Sequence, residues 1–224
     1  MTKDKSASSV ETIVASLVHE IRNPLSSIKM GLTTLRRRPS LEDADQHIVN
    51  ISLREMDRLE QMLKDLLAYA RTRDLNCLEQ NLNAIVESAV KQIMAQAEDK
   101  KIQIIRDLSA DCSKIPVDSD QMIPVFVHLL QNSLDAMYRE GRLVLQTFPD
   151  GDFIHLQISD NGTGIDEKHR EKIFDPFYTT KTGRLGLGLT IAQKIIKLHQ
   201  GEIQVEQTSN SGTLIDVRLP VTQL

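Results

Sequence analysis

The sequence predicts an α+β protein in two parts: an N-terminal antiparallel helical hairpin over residues 1–75 and a two-layer α/β sandwich over residues 76–224. Two observations lead to this prediction. Apolar residues recur every three or four positions through the first part, which is the period of a helix. In the second part helical patterns alternate with short strand patterns and a strong hairpin turn, which favours helices lying on a mainly antiparallel sheet.

Composition narrows the classes of function. Of the 224 residues, 40% are hydrophobic and 26% are charged, which is typical of a globular protein. A net charge of −4 gives no reason to expect nucleic acid as a partner. No apolar run is long enough to span a bilayer, and the polar N-terminus does not have the pattern of a signal peptide. We therefore expect a cytoplasmic chain, or the cytoplasmic part of a membrane-anchored receptor.

The first part contains two amphipathic patterns. Pro39 is predicted to end the first helix, and Ser40 to cap the second. One hairpin cannot bury both apolar stripes, so we expect two chains to pair as a dimeric four-helix bundle. The stripes consist of Ile13, Leu17, Ile21, Leu25, Ile28, Leu32 and Leu35 in the first helix, and of Val49, Met56, Leu59, Leu63, Leu66 and Ala70 in the second.

The second part starts after a polar stretch, residues 72–81, that is predicted to be a linker. Ser119 or Asp120 is the expected cap of the second helix in this part, and the turn at residues 149–152 joins two strands. Helices are predicted at about 83–97, 118–137 and 188–199, and strands at about 102–105, 143–145, 153–158, 202–207 and 213–219.

Three segments of this part have the chemistry of a nucleotide site. Asn132 lies among apolar helix residues, where its amide oxygen could be a ligand for Mg²⁺ or could bond within the core. Asp160, with Gly162 and Gly164, follows a strand and could accept a hydrogen bond from an exocyclic amine or could form a tight turn. The stretch 186–188 opens a helix, whose N-terminal amides suit phosphates.

In this order the segments, with Phe174-Asp175-Pro176-Phe177 between the last two, resemble the N, G1, F and G2 boxes of the histidine kinase ATP-binding domain. Gyrase B, MutL and a family of heat-shock chaperones share that fold. The resemblance implies that Asn132 coordinates Mg²⁺ and that Asp160 binds the adenine amino group of ATP. It also implies a lid over residues 176–188 and further ATP-binding positions at Asp135, Gly162, Gly164, Ile165, Phe177, Lys181, Gly186, Leu187 and Gly188.

The sequence departs from the pattern of this family in two places. Arg184 and Leu185 replace the first Gly and the Thr of the usual G2 box, and Arg184 either contacts phosphate or lies at the surface. His128 lies one helical turn before Asn132, where most relatives have another Asn and the ATP-hydrolysing cousins have a catalytic Glu. It either serves the site or packs as an ordinary helix residue.

The segment around His19 resembles the H-box of the histidine kinase dimerisation domain. His19 lies about 200° around the helix from Leu17, so it is expected to face solvent. A neutral imidazole there can attack the γ-phosphate of ATP, with Glu20 as the candidate acceptor of a hydrogen bond from its other nitrogen. Asn23 and Glu20 match a pattern that accompanies phosphatase activity in this family.

The resemblance therefore implies an ATP-dependent kinase that phosphorylates its own His19 and passes the phosphoryl group to an Asp of a response regulator receiver domain. A homodimer, and an upstream sensor domain or protein, are the other implied partners. Three alternatives remain open at this point. They are an ATP-dependent clamp of the same fold, a non-catalytic pseudokinase scaffold and a protein-serine kinase.

Overall fold

The computed structural model describes residues 3–37, 42–70, 75–112, 114–138, 140–181, 184–209 and 211–222. The predictions on Pro39, Ser40 and the side chain of Ile13 lie outside the described residues. The chain divides into two compact units: Met1–Arg73 with Thr179–Leu187, and Asp74–Tyr178 with Gly188–Leu224. The domain boundary expected between residues 75 and 76 stays a prediction, and no sequence pattern indicated that 179–187 would group with the first unit.

The first unit is built on two long helices, α1 (Lys3–Arg36) and α2 (Asp43–Ala70). Helix α1 begins ten residues before the stripe that predicted it. Between the helices, the Lys29 ammonium group lies 2.8 Å from carboxylate oxygens of both Asp57 and Glu60. These two charge pairs raise the pKa of Lys29, through hydrogen bonds with Asp57 first and Glu60 second. Both pairs connect α1 to α2.

The apolar stripe predicted on α1 is in fact two neighbouring stripes. Val18 is 2% exposed, and Leu25 and Leu32 are half-buried, whereas Leu17 and Ile21 are 51% and 45% exposed. Positions that differ by one residue are only 100° apart on a helix, so counting steps of three and four merged the two stripes. On α2 the same division separates buried from exposed apolar residues: Val49, Leu53 and Met56 are buried, and Ile48, Ile51 and Leu59 are exposed.

The second unit begins with two short strands that the sequence did not predict. Strand β1 (Leu78–Asn81) pairs antiparallel with β3 (Lys114–Val117), outside the main sheet. Strand β1 lies within the predicted linker, so that prediction is wrong for these four residues. Strands this short carry too few residues for the alternation of apolar and polar side chains to be read.

The main sheet has five strands in the order β2, β4, β5, β7, β6. Strand β2 is parallel to β4, and the other neighbours are antiparallel. A hairpin turn joins β4 to β5 as predicted, but it is shorter than the expected 149–152, because Pro149 and Asp150 belong to β4 and pair with β5. The strands are β2 (Gln103–Leu108), β4 (Arg142–Asp150), β5 (Phe153–Asp160), β6 (Glu202–Ser209) and β7 (Gly212–Pro220).

Three helices lie against this sheet: α3 (Leu82–Asp99), α4 (Ser119–Ala136) and α6 (Gly188–Leu198); the short α5 (Glu167–Arg170) precedes α6. Their apolar faces meet alternate residues of β4, β5 and β7 in a core that is almost entirely aliphatic. The predicted two-layer sandwich is confirmed. The expected cap of α4 is wrong, because the side chain of Asp118, rather than Ser119 or Asp120, accepts a hydrogen bond from the Gln121 N–H, at 3.2 Å.

Over the ranges given above, no helix combines the length and apolar character needed to cross a bilayer.

Candidate active site

Helix α4 carries Asn132 and Asp135, both half-buried and on one side of the second unit. The loop after β5 packs on the C-terminal end of this helix, one turn beyond Asn132. There the Thr163 N–H donates to the carbonyl oxygen of Ala136 at 3.1 Å. The fold therefore places the predicted G1-box loop against the end of the helix that carries the predicted N-box.

Asp160 ends β5 and is only 8% exposed. Its carboxylate accepts a hydrogen bond from the Gly162 N–H at 2.9 Å, which fixes its orientation at the start of the loop. A carboxylate held in this way can accept a hydrogen bond from an amino group, which is the chemistry needed to select adenine.

The structure explains why this loop has glycine at two positions, which the sequence alone did not show. Gly164 has a φ of +72°, and a Cβ there would lie 1.8 Å from the Ser209 carbonyl oxygen at the end of β6. A Cβ on Gly162 would lie 2.7 Å from the Ala136 carbonyl oxygen. Packing of the loop on its neighbours thus excludes side chains at both positions, whether or not a ligand is near. These glycines support the loop geometry and do not by themselves indicate a ligand.

The predicted phosphate segment reaches α4 at a second point. Gly188 begins α6, and a Cβ on it would lie 1.9 Å from Nε2 of His128. His128 and Ala136 are eight residues apart, about 12 Å along the helix axis. Asn132 lies midway between these contacts. Helix α4 therefore carries the first predicted segment and contacts the loop of the second and Gly188 of the third.

The residues around Gly188 are well anchored. Leu187 is 1% exposed, and Gly186 has a φ of +69°, a conformation that other residues rarely adopt. The Thr190 hydroxyl, in the first turn of α6, donates to the carbonyl oxygen of Phe174 at 3.0 Å. The predicted F-box segment thus also joins the start of α6.

Three other predicted positions lie between Gly164 and Gly186 in the sequence. Ile165 is half-buried against the core, and its N–H donates to the Thr208 hydroxyl at 2.7 Å. Phe177 is 59% exposed and has a φ of +65°. Lys181 lies in the segment that groups with the hairpin, where its N–H donates to the Thr179 hydroxyl. Their roles toward ATP stay predictions.

Arg184 is exposed, and its charge acts on the carboxylate of Asp65 on α2, in the same unit. Burial raises the pKa of Asp65, and this rise is opposed by a hydrogen bond from Gln61 and by the charges of Arg184 and Lys64. The alternative that Arg184 contacts phosphate stays a hypothesis.

The metal-binding capacity of α4 is modest. Within the described ranges, no group of three or more His, Cys, Asp or Glu side chains could hold a metal ion. Asn132 and Asp135 are one turn apart on α4, and the Asp135 carboxylate accepts a 3.5 Å hydrogen bond from Gln96. Such a donor set fits Mg²⁺, which commonly takes one or two protein oxygens together with water and substrate phosphates. It does not fit a tightly held resident metal.

Sequence reasoning missed a buried histidine that joins α6 to α4. His199 is 1% exposed; its Nδ1 lies 2.8 Å from the Ile195 carbonyl oxygen, and its Nε2 lies 3.0 Å from the Asp118 nitrogen. The Ile195 carbonyl needs a donor and the Asp118 N–H needs an acceptor, so these two contacts fit the tautomer with the proton on Nδ1. No sequence period marks such a bond.

In the first unit, His19 is exposed on α1 as expected, but the reason given for it was wrong, because Leu17 is exposed as well and the adjacent Val18 is the buried residue. Glu20 and Asn23 are also exposed, within the same turn. Pro24 is inside the helix, where it removes one backbone hydrogen bond. The arrangement presents an imidazole to an incoming electrophile with a carboxylate next to it in sequence.

Two family models match the chain. Residues 9–75 match the His Kinase A (phospho-acceptor) domain, and residues 117–223 match the histidine kinase-, DNA gyrase B-, and HSP90-like ATPase. The chain belongs to the sensor histidine kinase family. The helical hairpin and the sandwich are thus the two parts of a histidine kinase core.

Curated relatives that match over nearly the whole chain are also histidine kinases. The core is 32% identical to the signal transduction histidine-protein kinase AtoS of Escherichia coli, over 93% of this chain and 34% of AtoS. It is 31% identical to sporulation kinase E of Bacillus subtilis, over 96% of this chain and 29% of that protein. The chain therefore spans about a third of the length of these curated relatives.

Solved structures share the fold. Full-length ShkA, in complex with AMPPNP, superposes with a TM-score of 0.82 at 20% identity, over 96% of this chain and 47% of that chain. Histidine kinase ThkA, in complex with its response regulator protein TrrA, superposes with a TM-score of 0.71 at 28% identity, over 99% of this chain and 64% of that chain.

Proposed function

We propose that this histidine kinase core uses ATP to phosphorylate its own His19 and then passes the phosphoryl group to an aspartate of a response regulator receiver domain. The observation that carries the proposal is that one chain contains both features: an exposed histidine in the phospho-acceptor hairpin, and three nucleotide-type segments on or against α4. The named partner of ThkA, a response regulator, supports the second step.

Each residue has a defined part in the transfer. A nitrogen of His19 forms a bond to the γ-phosphorus while the bond from that phosphorus to the β,γ-bridging oxygen breaks, and ADP leaves. Glu20 accepts a hydrogen bond from the other ring nitrogen and stabilises the positive charge that develops on the imidazole. Asp160 holds the adenine amino group, and the amides at the start of α6 hold phosphate oxygens.

Asn132, with Asp135 one turn further on, would hold a Mg²⁺ ion that arrives with the nucleotide. When bound, Mg²⁺ neutralises negative charge on the phosphates.

The kinase core acts as a homodimer in this proposal. Exposed apolar residues on α1 and α2 would pair with those of a second copy, as expected for a four-helix bundle. Specificity for the regulator lies on exposed faces of the hairpin. We place the chain in the cytoplasm, where a sensor domain or separate sensor protein controls it.

One incubation tests the kinase reaction. The purified chain is incubated with γ-labelled ATP and Mg²⁺, and the label is then exposed to acid and to alkali. Label on phosphohistidine is lost in acid, survives alkali and is absent from the His19→Gln variant. Acid-stable label would indicate a serine kinase, and no label would indicate a clamp or a scaffold. Either result contradicts the proposal.

We propose a phosphatase activity as well, in which Asn23 orients the water that attacks the phosphorylated regulator. Asn23→Ala should keep autophosphorylation on His19 and slow dephosphorylation of a phosphorylated receiver domain. Ser27→Ala is the matched control, because Ser27 lies one turn further on and its hydroxyl donates to the backbone carbonyl of Asn23. Unchanged dephosphorylation by Asn23→Ala would refute this role.

A further inference from the structure

The side chain of His128 on α4 packs against Gly188, the first residue of α6. Against an ideal Cβ on Gly188, the distances are 1.9 Å to Nε2, 2.0 Å to Cε1 and 2.7 Å to Cδ2 of His128. Nε2 and Cε1 are the atoms at the tip of the imidazole. The tip of the ring therefore occupies the space beside the Cα of Gly188 in which a Cβ would lie.

This contact differs from those of the other site glycines. At Gly162 and Gly164 the atoms that exclude a Cβ belong mainly to backbone, whereas at Gly188 all three belong to one side chain. The residue at position 128 therefore decides how closely the first turn of α6 approaches α4. A shorter side chain would leave a gap, and a side chain at 188 would meet the ring.

The first turn of a helix has backbone N–H groups that the helix itself does not bond, and these groups bind anions. In α6 these groups start at Gly188. Asn132 is one turn beyond His128 on the same face of α4. The length of the His128 side chain thus sets the separation between the proposed phosphate-binding amides and the proposed metal-binding amide.

We propose that His128 is a positioning residue of the nucleotide site, whose imidazole sets the spacing between the N-terminus of α6 and Asn132. This inference rests on the proposed ATP site and adds a residue to it. Because the contact is at the phosphate end, His128 governs binding of the triphosphate and leaves recognition of adenosine to Asp160.

A double-mutant cycle tests the proposal, with the whole chain throughout. The four proteins are the parent, His128→Ala, Gly188→Ala and the double variant, and the measured quantity is the affinity for AMPPNP with Mg²⁺. We expect Gly188→Ala to weaken binding by roughly tenfold or more, and the double variant to recover most of that loss, since residues in direct contact are not additive. If the two effects simply multiply, the proposal is wrong.

A second ligand separates positioning from a general loss of structure. Adenosine has no phosphate, so its affinity should stay within about twofold in His128→Ala while that for AMPPNP falls roughly tenfold, as expected when only the phosphate end is misplaced. An equal loss for both ligands would mean that His128 only supports the fold. His128→Gln, which nearly restores the reach of the side chain, should recover AMPPNP binding, and failure to do so also counts against the proposal.

Gly201→Ala is the matched control. Gly201 follows the other end of α6, and a Cβ there would lie 2.5 Å from the Arg218 carbonyl oxygen. Its effect should not be relieved by His128→Ala. Failure of the parent protein to bind AMPPNP would overturn the proposed ATP site, and this inference with it. Binding by the parent together with an additive cycle would overturn this inference alone.

Discussion

Single buried polar side chains hold the helices of the second unit at fixed positions. His199 joins the end of α6 to the backbone before α4, and Asp118 caps α4 through the Gln121 N–H. A buried group that loses its partner costs more than the bond itself contributed, because its desolvation is no longer offset. Both residues lie away from the candidate site, so they can be changed to test stability alone.

His199→Phe keeps a ring of similar size and removes both hydrogen bonds. The Asp118 N–H then has no acceptor in a buried site, so we expect a loss of about 1–3 kcal/mol in the free energy of unfolding. Urea titration followed by circular dichroism measures this change. Tyr138→Ser is the control, because Tyr138 is 92% exposed. Equal stability of the two variants would contradict the assigned bonds.

Asp118 makes the stability of the folded protein depend on pH. Burial raises its pKa, but hydrogen bonds from the Asn76 backbone and from Gln121 outweigh this and hold the pKa below its ordinary value. Its stabilising contribution is therefore present above the pH at which a free aspartate titrates, about pH 4, and is lost as pH falls through the lower folded-state value.

We therefore expect the stability difference between the parent and Asp118→Asn to be largest near neutral pH and to shrink below about pH 4. Urea titrations at a series of pH values measure it. A difference that grows as the pH falls would show that the carboxylate is not stabilised by these hydrogen bonds.

At the scale of the elements, the exposed apolar faces of α1 and α2 lead to a prediction about assembly. Ile28 is 55% exposed and Ile51 is 42% exposed. A charge on both should prevent a second copy from pairing, since an unpaired charge would be buried in the bundle. We expect Ile28→Glu/Ile51→Glu to be monomeric by analytical ultracentrifugation. The control Gln46→Glu/Asn50→Glu, at exposed polar positions, should remain dimeric, and a dimeric Ile28→Glu/Ile51→Glu protein would exclude this face as the interface.

The long helices and the main strands could be predicted because their apolar periods extend over many residues. The four-residue strands β1 and β3 could not, and neither could the division of the α1 stripe, which depends on which neighbour covers each residue. The cap at Asp118 was missed because three adjacent polar residues offer the same chemistry and only the fold selects one of them.

At the scale of the whole molecule, two units with separate apolar cores should unfold separately. If the hairpin is stable only as a dimer, mass action makes its transition rise with protein concentration, whereas that of the sandwich should not move. Calorimetry over a wide range of concentration measures both. In Ile28→Glu/Ile51→Glu the dependence on concentration should disappear. If neither transition of the parent protein changes with protein concentration, the proposal that the hairpin is dimeric is wrong.

The candidate site could be predicted from the sequence only in part. Asn132, Asp160 and Gly188 could be identified by residue type and order, and resemblance supplied their proposed roles. The contacts that bring them together, through Ala136 and His128, join residues that are distant in sequence and carry no local pattern. The grouping of residues 179–187 with the hairpin could not be predicted either, because it also depends on contacts between residues that are distant in sequence.

The placement of two contacts on α4 limits how related chains can differ in length. One residue inserted between His128 and Ala136 would turn the rest of the helix by 100° and lengthen it by 1.5 Å. The β5 loop and the start of α6 could then no longer both meet the helix. Among homologous kinases, insertions and deletions along this stretch should therefore be excluded, whereas the exposed turn between β4 and β5 should vary freely in length.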